Sequence, residues 1–137
     1  MKVTNQLYPD ATQAATFFGG AEDGPFCMVN LLKFKAKAEY ADGSDPDLSG
    51  REAYLRYGAA VQACLQSVGG QARFSGMVTD LMIGQTDDLW DMVAIAEYPS
   101  RAAMLAMVQS PDYQAISKHR EAGLAGQLNI RTKPLGG

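Results

Sequence analysis

A nearly continuous apolar run, Pro25–Phe34, constrains the fold of this chain more than any other segment. In a β-strand, alternate side chains point to opposite faces, and both faces of this run are apolar except for Asn30 on one and Lys33 on the other. A strand that is apolar on both faces is buried on both, so we expect a sheet that is covered on each side. An unpaired buried amide costs about 1–3 kcal/mol. Asn30 therefore either stabilises the fold or faces a ligand cavity.

The bulk composition excludes several classes of function. The 137 residues are enough for one folded core, and the net charge of −3 argues against nucleic acid as a partner, because phosphate binding needs a basic face. No apolar run has the length of a membrane span, and the first ten residues lack the apolar core of a signal peptide, so we expect a cytoplasmic protein. The single His and the distant Cys27 and Cys64 give no indication of a metal site, a disulfide or a cofactor.

Four helix starts are marked by a residue whose side chain can accept hydrogen bonds from the first helical turn. Two of these residues, Asp10 and Ser49, are also followed three residues later by Gln or Glu, as in a capping box. The helices predicted in this way are Ala11–Phe18, a long helix after Ser49, a third after Ser100 and a fourth with Pro111 in its first turn. The segment 36–49 is polar and rich in Asp, which predicts a solvated loop.

Two further strands are predicted at Ala72–Ile83 and Leu89–Tyr98, joined as an antiparallel hairpin, and a last strand precedes Pro134. Without the first helix, the order is strand, helix, strand, strand, helix, strand. This order predicts an α+β fold of the ferredoxin-like βαββαβ type, with one four-stranded antiparallel sheet and helices on one face. We assign residues 1–24 to an N-terminal extension that contains the short helix, and residues 25–137 to the ferredoxin-like domain.

Helices on one face leave the other face of the predicted sheet exposed. That face carries apolar residues in several strands, and an exposed apolar patch of this size predicts a partner. The simplest partner is a second copy of the chain, in a two-fold homodimer that closes sheet against sheet.

Several segments between about Pro25 and Pro134 have a characteristic order and spacing. They are Val29-Asn30-Leu31-Leu32-Lys33-Phe34, Ala53-Tyr54 with Tyr57, Gly76, Trp90-Asp91, Tyr98-Pro99-Ser100, Tyr113 and His119–Leu124. Together they resemble the family called domain of unknown function 1330, in the dimeric α+β barrel superfamily. The resemblance implies two ferredoxin-like subunits joined through their sheets, a cavity between each sheet and its helices, and no established reaction. Distant superfamily members include oxygenases without a conventional cofactor, and some are similar in pairing a first-strand Asn with a third-strand Trp, here Asn30 and Trp90.

Five uncharged residues are candidates for a site. Asn30 can donate its amide N–H to an anionic or enolic substrate oxygen, or it can be bound by backbone or by a buried Tyr hydroxyl. Tyr54 and Tyr57 lie on the buried stripe of the long helix and are either core residues with satisfied hydroxyls or ligand contacts. Trp90 and Tyr113 are candidates for the apolar wall of a cavity, although the alanines on the strand face of Trp90 are equally consistent with close packing of a helix.

Three charged residues complete the candidate set. Arg73 either binds a carboxylate with two hydrogen bonds or forms a salt bridge at the surface or the dimer rim. His119 is suited to proton transfer near neutral pH, but no carboxylate is assigned to orient it. Arg120 either contacts a ligand or anchors helix carbonyls or a carboxylate.

These observations predict a homodimer that binds a small apolar or aromatic metabolite between sheet and helices. One alternative is a cofactor-independent monooxygenase or isomerase that uses Asn30 and Trp90, with His119 as a further catalytic candidate. The other alternative is a non-catalytic stress or regulatory dimer. The incomplete set of acids and bases favours binding over catalysis.

Overall fold

The computed structural model describes residues 1–20 and 23–135. Its elements are α1 (Ala11–Phe18), β1 (Phe26–Phe34), α2 (Gly50–Ser67), β2 (Gln71–Met77), β3 (Met92–Tyr98), α3 (Arg101–Gln109), α4 (Pro111–Gly123) and β4 (Leu124–Thr132). This order confirms the predicted ferredoxin-like arrangement preceded by a short helix. The end of the predicted domain at residues 136 and 137 lies outside the described residues, and the division of the chain at residue 24 stays a prediction.

The predicted caps form because the side chains satisfy backbone N–H groups that have no partner inside a helix. The carboxylate of Asp10 accepts from the Gln13 backbone N–H, and the Gln13 side chain accepts from the Asp10 backbone N–H. Ser49 and Glu52 make the same reciprocal pair at the start of α2. Both capping boxes confirm the helix starts predicted from the sequence.

The four strands form one antiparallel sheet in the order β2-β3-β1-β4. The predicted hairpin of β2 and β3 is confirmed, but both strands are shorter than the predicted Ala72–Ile83 and Leu89–Tyr98. A hydrogen bond of 2.9 Å from the Val78 N–H to the Asp91 carbonyl closes the base of the hairpin. Residues 81–83 lie beyond this hydrogen bond and are apolar but exposed. They are not part of β2, because a strand also needs a neighbouring strand to pair with and apolar side chains alone do not supply one.

The helices and the N-terminal segment cover one face of the sheet. The largest fully buried side chains on this side are those of Phe26, Leu32, Met107 and Leu124. The start of α2 meets the end of α4 where Gly50 and Gly123 touch. A Cβ on Gly123 would lie 2.4 Å from the Gly50 carbonyl oxygen, so this crossing requires glycine. Within the described residues, no helix is both long and apolar enough to cross a membrane.

The other face of the sheet, here called the open face, has aliphatic and aromatic side chains that align across the strands. Residues paired in an antiparallel sheet point to the same face, and Val29 pairs with both Ile95 and Ile130. The apolar side chains of the open face are those of Val29, Leu31, Phe74, Val93, Ile95, Leu128 and Ile130. None of them is buried, and Phe74 remains 57% exposed. The chain therefore covers only one of two apolar faces.

The N-terminal segment packs against its own chain. Gln6 bridges to Gln127 on the edge strand β4 through two backbone hydrogen bonds of 3.1 and 2.9 Å. Farther along, the ring of Phe17 in α1 meets the ring of Phe26 edge to face, with centroids 5.8 Å apart. These contacts place residues 6–18 beside the helix-covered face of the sheet.

Candidate functional site

A cavity of about 740 Å³ lies between the helix-covered face of the sheet and the surrounding helices. Strand β1 contributes Met28 and Asn30, and helices α2, α3 and α4 contribute its aromatic and aliphatic walls. The N-terminal segment closes one side through Leu7, Tyr8 and Phe17. The site is thus built from every layer on this side of the sheet and not from one loop.

The amide of Asn30 is oriented by the backbone. Its Nδ2 donates to the carbonyl of Ala94 at 3.1 Å and, more weakly, to the carbonyl of Met28 at 3.4 Å. Only an N–H can bond to a carbonyl oxygen, so these two contacts determine which end of the amide is which. The oxygen Oδ1 forms no hydrogen bond within the described residues. Asn30 therefore presents to the cavity an acceptor, and not the donor considered from the sequence.

Burial holds the hydroxyls of Tyr54, Tyr57 and Tyr98, which line the cavity, in their neutral form. Burial raises the pKa of Tyr54 to about 12, and it also raises the pKa of Tyr57 well above the ordinary value. Burial is again the largest cause of the raised pKa of Tyr98. At neutral pH these phenols are consequently hydrogen-bond donors and acceptors and do not act as bases.

Two of the hydroxyls pair with each other. The Tyr57 and Tyr113 hydroxyl oxygens are 3.1 Å apart, and the two rings meet edge to face at 6.0 Å. The structure thus joins two candidates that are 56 positions apart. In contrast, the hydroxyls of Tyr54 and Tyr98 have no hydrogen-bond partner in the described part of the chain. Two phenol donors are therefore available to a bound molecule.

Arg120 connects α4 to the N-terminal wall of the cavity. Its guanidinium donates to the Leu7 carbonyl and lies 5.2 Å from the centre of the Tyr8 ring. The Tyr8 hydroxyl in turn donates to the carboxylate of Glu121. Burial, followed by the hydrogen bond with Glu121, raises the pKa of Tyr8 to about 12. Arg120 thus lines the cavity and also binds the backbone carbonyl of Leu7. A ligand contact and a structural anchor, the two roles considered for it, are therefore compatible.

Three of the candidate residues, Arg73, Trp90 and His119, do not line the cavity. Trp90 precedes β3, and its Nε1 donates to Asn5 at 2.9 Å. The strand begins at Met92, three residues later than expected, and Asn30 pairs with Ala94, four residues beyond Trp90. Arg73 is half-exposed on β2 and forms a 2.9 Å salt bridge with Glu97, as the surface interpretation of this residue proposed.

His119 is the third candidate residue that lies outside the cavity. A step of one residue along a helix turns the side chain by about 100°, so His119 diverges from Arg120 and does not line the cavity. Its Nδ1 lies 2.7 Å from the Tyr40 hydroxyl, in the loop before α2. Burial, with Lys118 and Arg56 nearby, lowers the pKa of its imidazole. His119 is therefore not among the residues that line the cavity between sheet and helices.

No sequence pattern predicts the wall that the N-terminal segment forms. Leu7, Tyr8 and Phe17 reach the cavity because Gln6 adds to the edge of β4 and Arg120 binds the Leu7 carbonyl. Neither contact has a local sequence signature. Tyr98 lines the cavity from β3, on the strand face that carries Ala94 and Ala96, as the alternation of that strand predicts.

Comparison with known proteins identifies a family without a known reaction. The family model described as domain of unknown function (DUF1330) matches residues 44–132. The chain is 35% identical to the RPA0582 protein of unknown function from Rhodopseudomonas palustris, with a TM-score of 0.85 over 98% of this chain and 100% of that chain. The structure of methylated RPA0582 gives 36% identity and a TM-score of 0.86 over 97% of each chain.

A more distant structure is described as a dimeric ferredoxin-like protein of unknown function from Thermobifida fusca. It is 13% identical, with a TM-score of 0.47 over 96% of this chain and 100% of that chain. No curated protein matches the chain. The family match and the likeness to RPA0582 confirm the resemblance noted in the sequence.

Proposed function

The chain belongs to the DUF1330 family of domains of unknown function, and we propose that it is a homodimer that binds a small apolar or aromatic metabolite. The observation that carries this proposal is the cavity between sheet and helices. Its volume of about 740 Å³ falls within the range of about 300–1,000 Å³ that is typical of small-molecule sites.

The polar groups around the cavity define the chemistry of the proposed ligand. The hydroxyls of Tyr54 and Tyr98 offer donors, and Oδ1 of Asn30 offers an acceptor. An apolar or aromatic molecule that carries a hydroxyl or carbonyl oxygen would satisfy these groups and fill the apolar space around them. A buried polar group left without a partner is costly, so such a molecule is favoured over a plain hydrocarbon.

Binding is better supported than catalysis. The enzymatic alternative, a cofactor-independent monooxygenase or isomerase, relied on Asn30 with Trp90 and on His119. Trp90 and His119 do not line the cavity, and the raised pKa values of Tyr54 and Tyr57 disfavour a tyrosinate base at neutral pH. The geometry therefore favours a site that selects a ligand over one that transfers its protons.

A cavity-filling substitution tests the proposed binding site. The purified protein is first examined by native mass spectrometry for a copurifying small molecule, and phenols and quinones are then titrated by calorimetry. Val61→Phe places a ring in the cavity, and we expect it to weaken binding at least about tenfold by steric exclusion. Ala63→Phe is the matched control, because Ala63 is exposed on the same helix.

Unchanged affinity in the Val61→Phe variant, with its fold intact by circular dichroism, would contradict the proposed site. Assaying the same compounds for turnover separates the two classes of function. Turnover that is lost on Asn30→Ala substitution while binding persists would replace the binding proposal with the enzymatic one.

The proposed homodimer rests on the open face. Its seven apolar side chains span all four strands, and none of them is buried by the chain itself. A second copy of the same face would remove them from water in a two-fold assembly. Sedimentation at micromolar protein concentration is expected to give a dimer, and a monomer would overturn this part of the proposal.

A further inference from the structure

Arg120 is the one positively charged side chain that lines the cavity between sheet and helices in the described part of the chain. It is half-buried, and none of the described carboxylates forms a salt bridge with it. Guanidinium groups withdrawn from water are ordinarily paired, because desolvating a charge without compensation is unfavourable. The cavity thus contains a cation that lacks a counter-charge.

The existing contacts of Arg120 leave most of its hydrogen-bonding capacity unused. A guanidinium has five N–H donors, and one terminal nitrogen of Arg120 donates to the Leu7 carbonyl. The centre of the Tyr8 ring lies 5.2 Å from the guanidinium carbon. A neutral carbonyl and a ring face orient the positive charge but do not cancel it. The remaining N–H groups have no hydrogen-bond partner among the described residues, so they are available to a molecule in the cavity.

Tyr54 lies at the same end of the cavity as Arg120. Leu7, whose carbonyl binds Arg120, packs against the buried cluster that contains Tyr54. Burial is the largest cause that raises the pKa of Tyr54, and the charge of Arg120 opposes it, so the two groups are close enough to interact. The unpartnered hydroxyl of Tyr54, unlike a terminal nitrogen of Arg101, is not sealed from solvent. Arg120 and Tyr54 form what is here called the arginine end of the cavity.

Glu121 is the one carboxylate among the described lining residues, and it does not neutralise Arg120. Its side chain is exposed and accepts from the Tyr8 hydroxyl. Neighbouring positions on a helix point about 100° apart, and no salt bridge joins Glu121 to Arg120. Glu121 therefore holds the N-terminal segment and leaves the guanidinium without an opposite charge.

The cavity continues from the arginine end to an apolar end. Strand β1 carries Leu32, Asn30 and Met28 on one face, in that order. Leu32 packs in the cluster of Tyr54, whereas Met28 packs in a second cluster with Met107. Methionine side chains adapt to ligands of different shape. A molecule that fills the cavity would thus meet a charged group at one end and an adaptable apolar surface at the other. The apolar end is lined by Met28, Val61, Leu65, Met104 and Met107.

We infer that the ligand of this cavity is a carboxylic acid with an apolar or aromatic body, whose carboxylate is bound by Arg120 and Tyr54. The fork of N–H groups on a guanidinium matches the two oxygens of a carboxylate, and the Tyr54 hydroxyl donates to one of them. The body lies past Asn30 towards Met28. This inference rests on the proposed function and names the class of metabolite that the cavity selects.

Matched pairs of an acid and its neutral amide test the inference on the intact protein. The pairs are benzoate with benzamide, phenylacetate with phenylacetamide, and octanoate with octanamide. Each pair keeps the shape of the head group and changes only its charge and its hydrogen-bonding groups. In calorimetric titrations we expect at least one acid to bind about 10- to 100-fold more tightly than its amide, because the amide loses a charge-assisted hydrogen bond.

Variants of Arg120 connect this preference to one side chain. Arg120→Gln removes the charge, and we expect the affinity for that acid to fall about 10- to 100-fold while the affinity for its amide changes less than about threefold. Arg120→Lys keeps the charge without the fork and should restore part of the preference. Arg51→Gln is the matched control, because it removes the same charge from an exposed position at the start of α2. Circular dichroism verifies the fold of each variant.

Failure of this inference is distinguishable from failure of the proposed function. The inference alone is overturned if amides, phenols or quinones bind and no acid binds more tightly than its amide. It is also overturned if Arg120→Gln weakens acid and amide alike, since Arg120 would then act only by anchoring the N-terminal segment. If no acid, amide, phenol or quinone binds, the proposed function fails and this inference fails with it.

Discussion

The two faces of the sheet are both apolar, yet they differ in the polar groups they carry and in the kind of partner those groups require. On the covered face, Asn30 and the hydroxyls of Tyr54 and Tyr98 require directional partners, and the helices leave a cavity beside them. On the open face, the alignment of Val29 with Ile95 and Ile130 offers no polar group and requires only a matching apolar surface. Hydrophobicity alone therefore does not distinguish a ligand site from an interface, whereas the placement of polar groups does.

The largest expected effect comes from placing a charge on the open face. Ile95→Glu would bury a carboxylate twice in a two-fold interface, and burying an unpaired charge costs several kcal/mol. We expect the dimer dissociation constant to rise at least about 1,000-fold, measured by sedimentation. Leu55→Glu, on an exposed position of α2, is the control. A dimer that tolerates Ile95→Glu would show that the open face is not the interface.

Two adjacent leucines on β1, one on each face of the sheet, allow the contributions of the two faces to stability to be compared directly. Leu32 is fully buried on the covered face, so Leu32→Ala is expected to lower the free energy of unfolding by about 2–5 kcal/mol. Leu31 faces the open side, and in the Ile95→Glu background Leu31→Ala should cost less than about 1 kcal/mol. Urea unfolding measures both values. Equal losses would mean that the chain packs both faces alike.

Alkaline pH tests the burial of the phenols on the covered face. The folded-state pKa of Tyr54, about 12, lies above its ordinary value of 10.0. Its contribution to stability is thus fully present below pH 10 and is lost as pH rises from 10 towards 12, because only the unfolded chain then releases the proton. The loss should amount to about 2–3 kcal/mol. Tyr54→Phe should reduce this decline in urea unfolding at pH 9–12, and an unchanged decline would contradict the burial effect.

The smallest effect is expected for Arg73. Its salt bridge with Glu97 is half-exposed, and such pairs contribute about 0–1 kcal/mol because solvent screens them. Arg73→Gln should therefore change the free energy of unfolding by less than about 1 kcal/mol. Ligand affinity in the cavity should stay the same, since Arg73 does not line it. A large loss of ligand affinity in the Arg73→Gln variant would show that Arg73 contributes to ligand binding.

Local signals in the sequence predicted the elements well. The capping boxes at Asp10 and Ser49 and the Pro at the start of α4 determine helix starts through contacts three or four residues apart. The apolar alternation of β1 predicted a strand that is confirmed at Phe26–Phe34. These features are predictable because their physical causes lie within one turn or one strand.

The candidate site was predicted only in part. Asn30, Tyr54, Tyr57 and Tyr113 line the cavity as expected, and so does Arg120. The error at Trp90 arose because apolar residues extend beyond the hydrogen-bonded part of β3, so the strand start was placed too early. The error at His119 arose because one residue of rotation separates it from Arg120, and the sequence alone does not set which face of α4 turns inward.

By itself, the sequence determined the order of the elements and the apolar character of both sheet faces, since these depend on neighbouring residues and on alternation. Only the tertiary structure decided that the Asn30 amide donates to backbone and that the hydroxyls of Tyr57 and Tyr113 pair. It also decided that Gln6 joins the edge of the sheet. Each of these contacts joins residues that are far apart in the chain, and their distances depend on how the helices pack on the sheet.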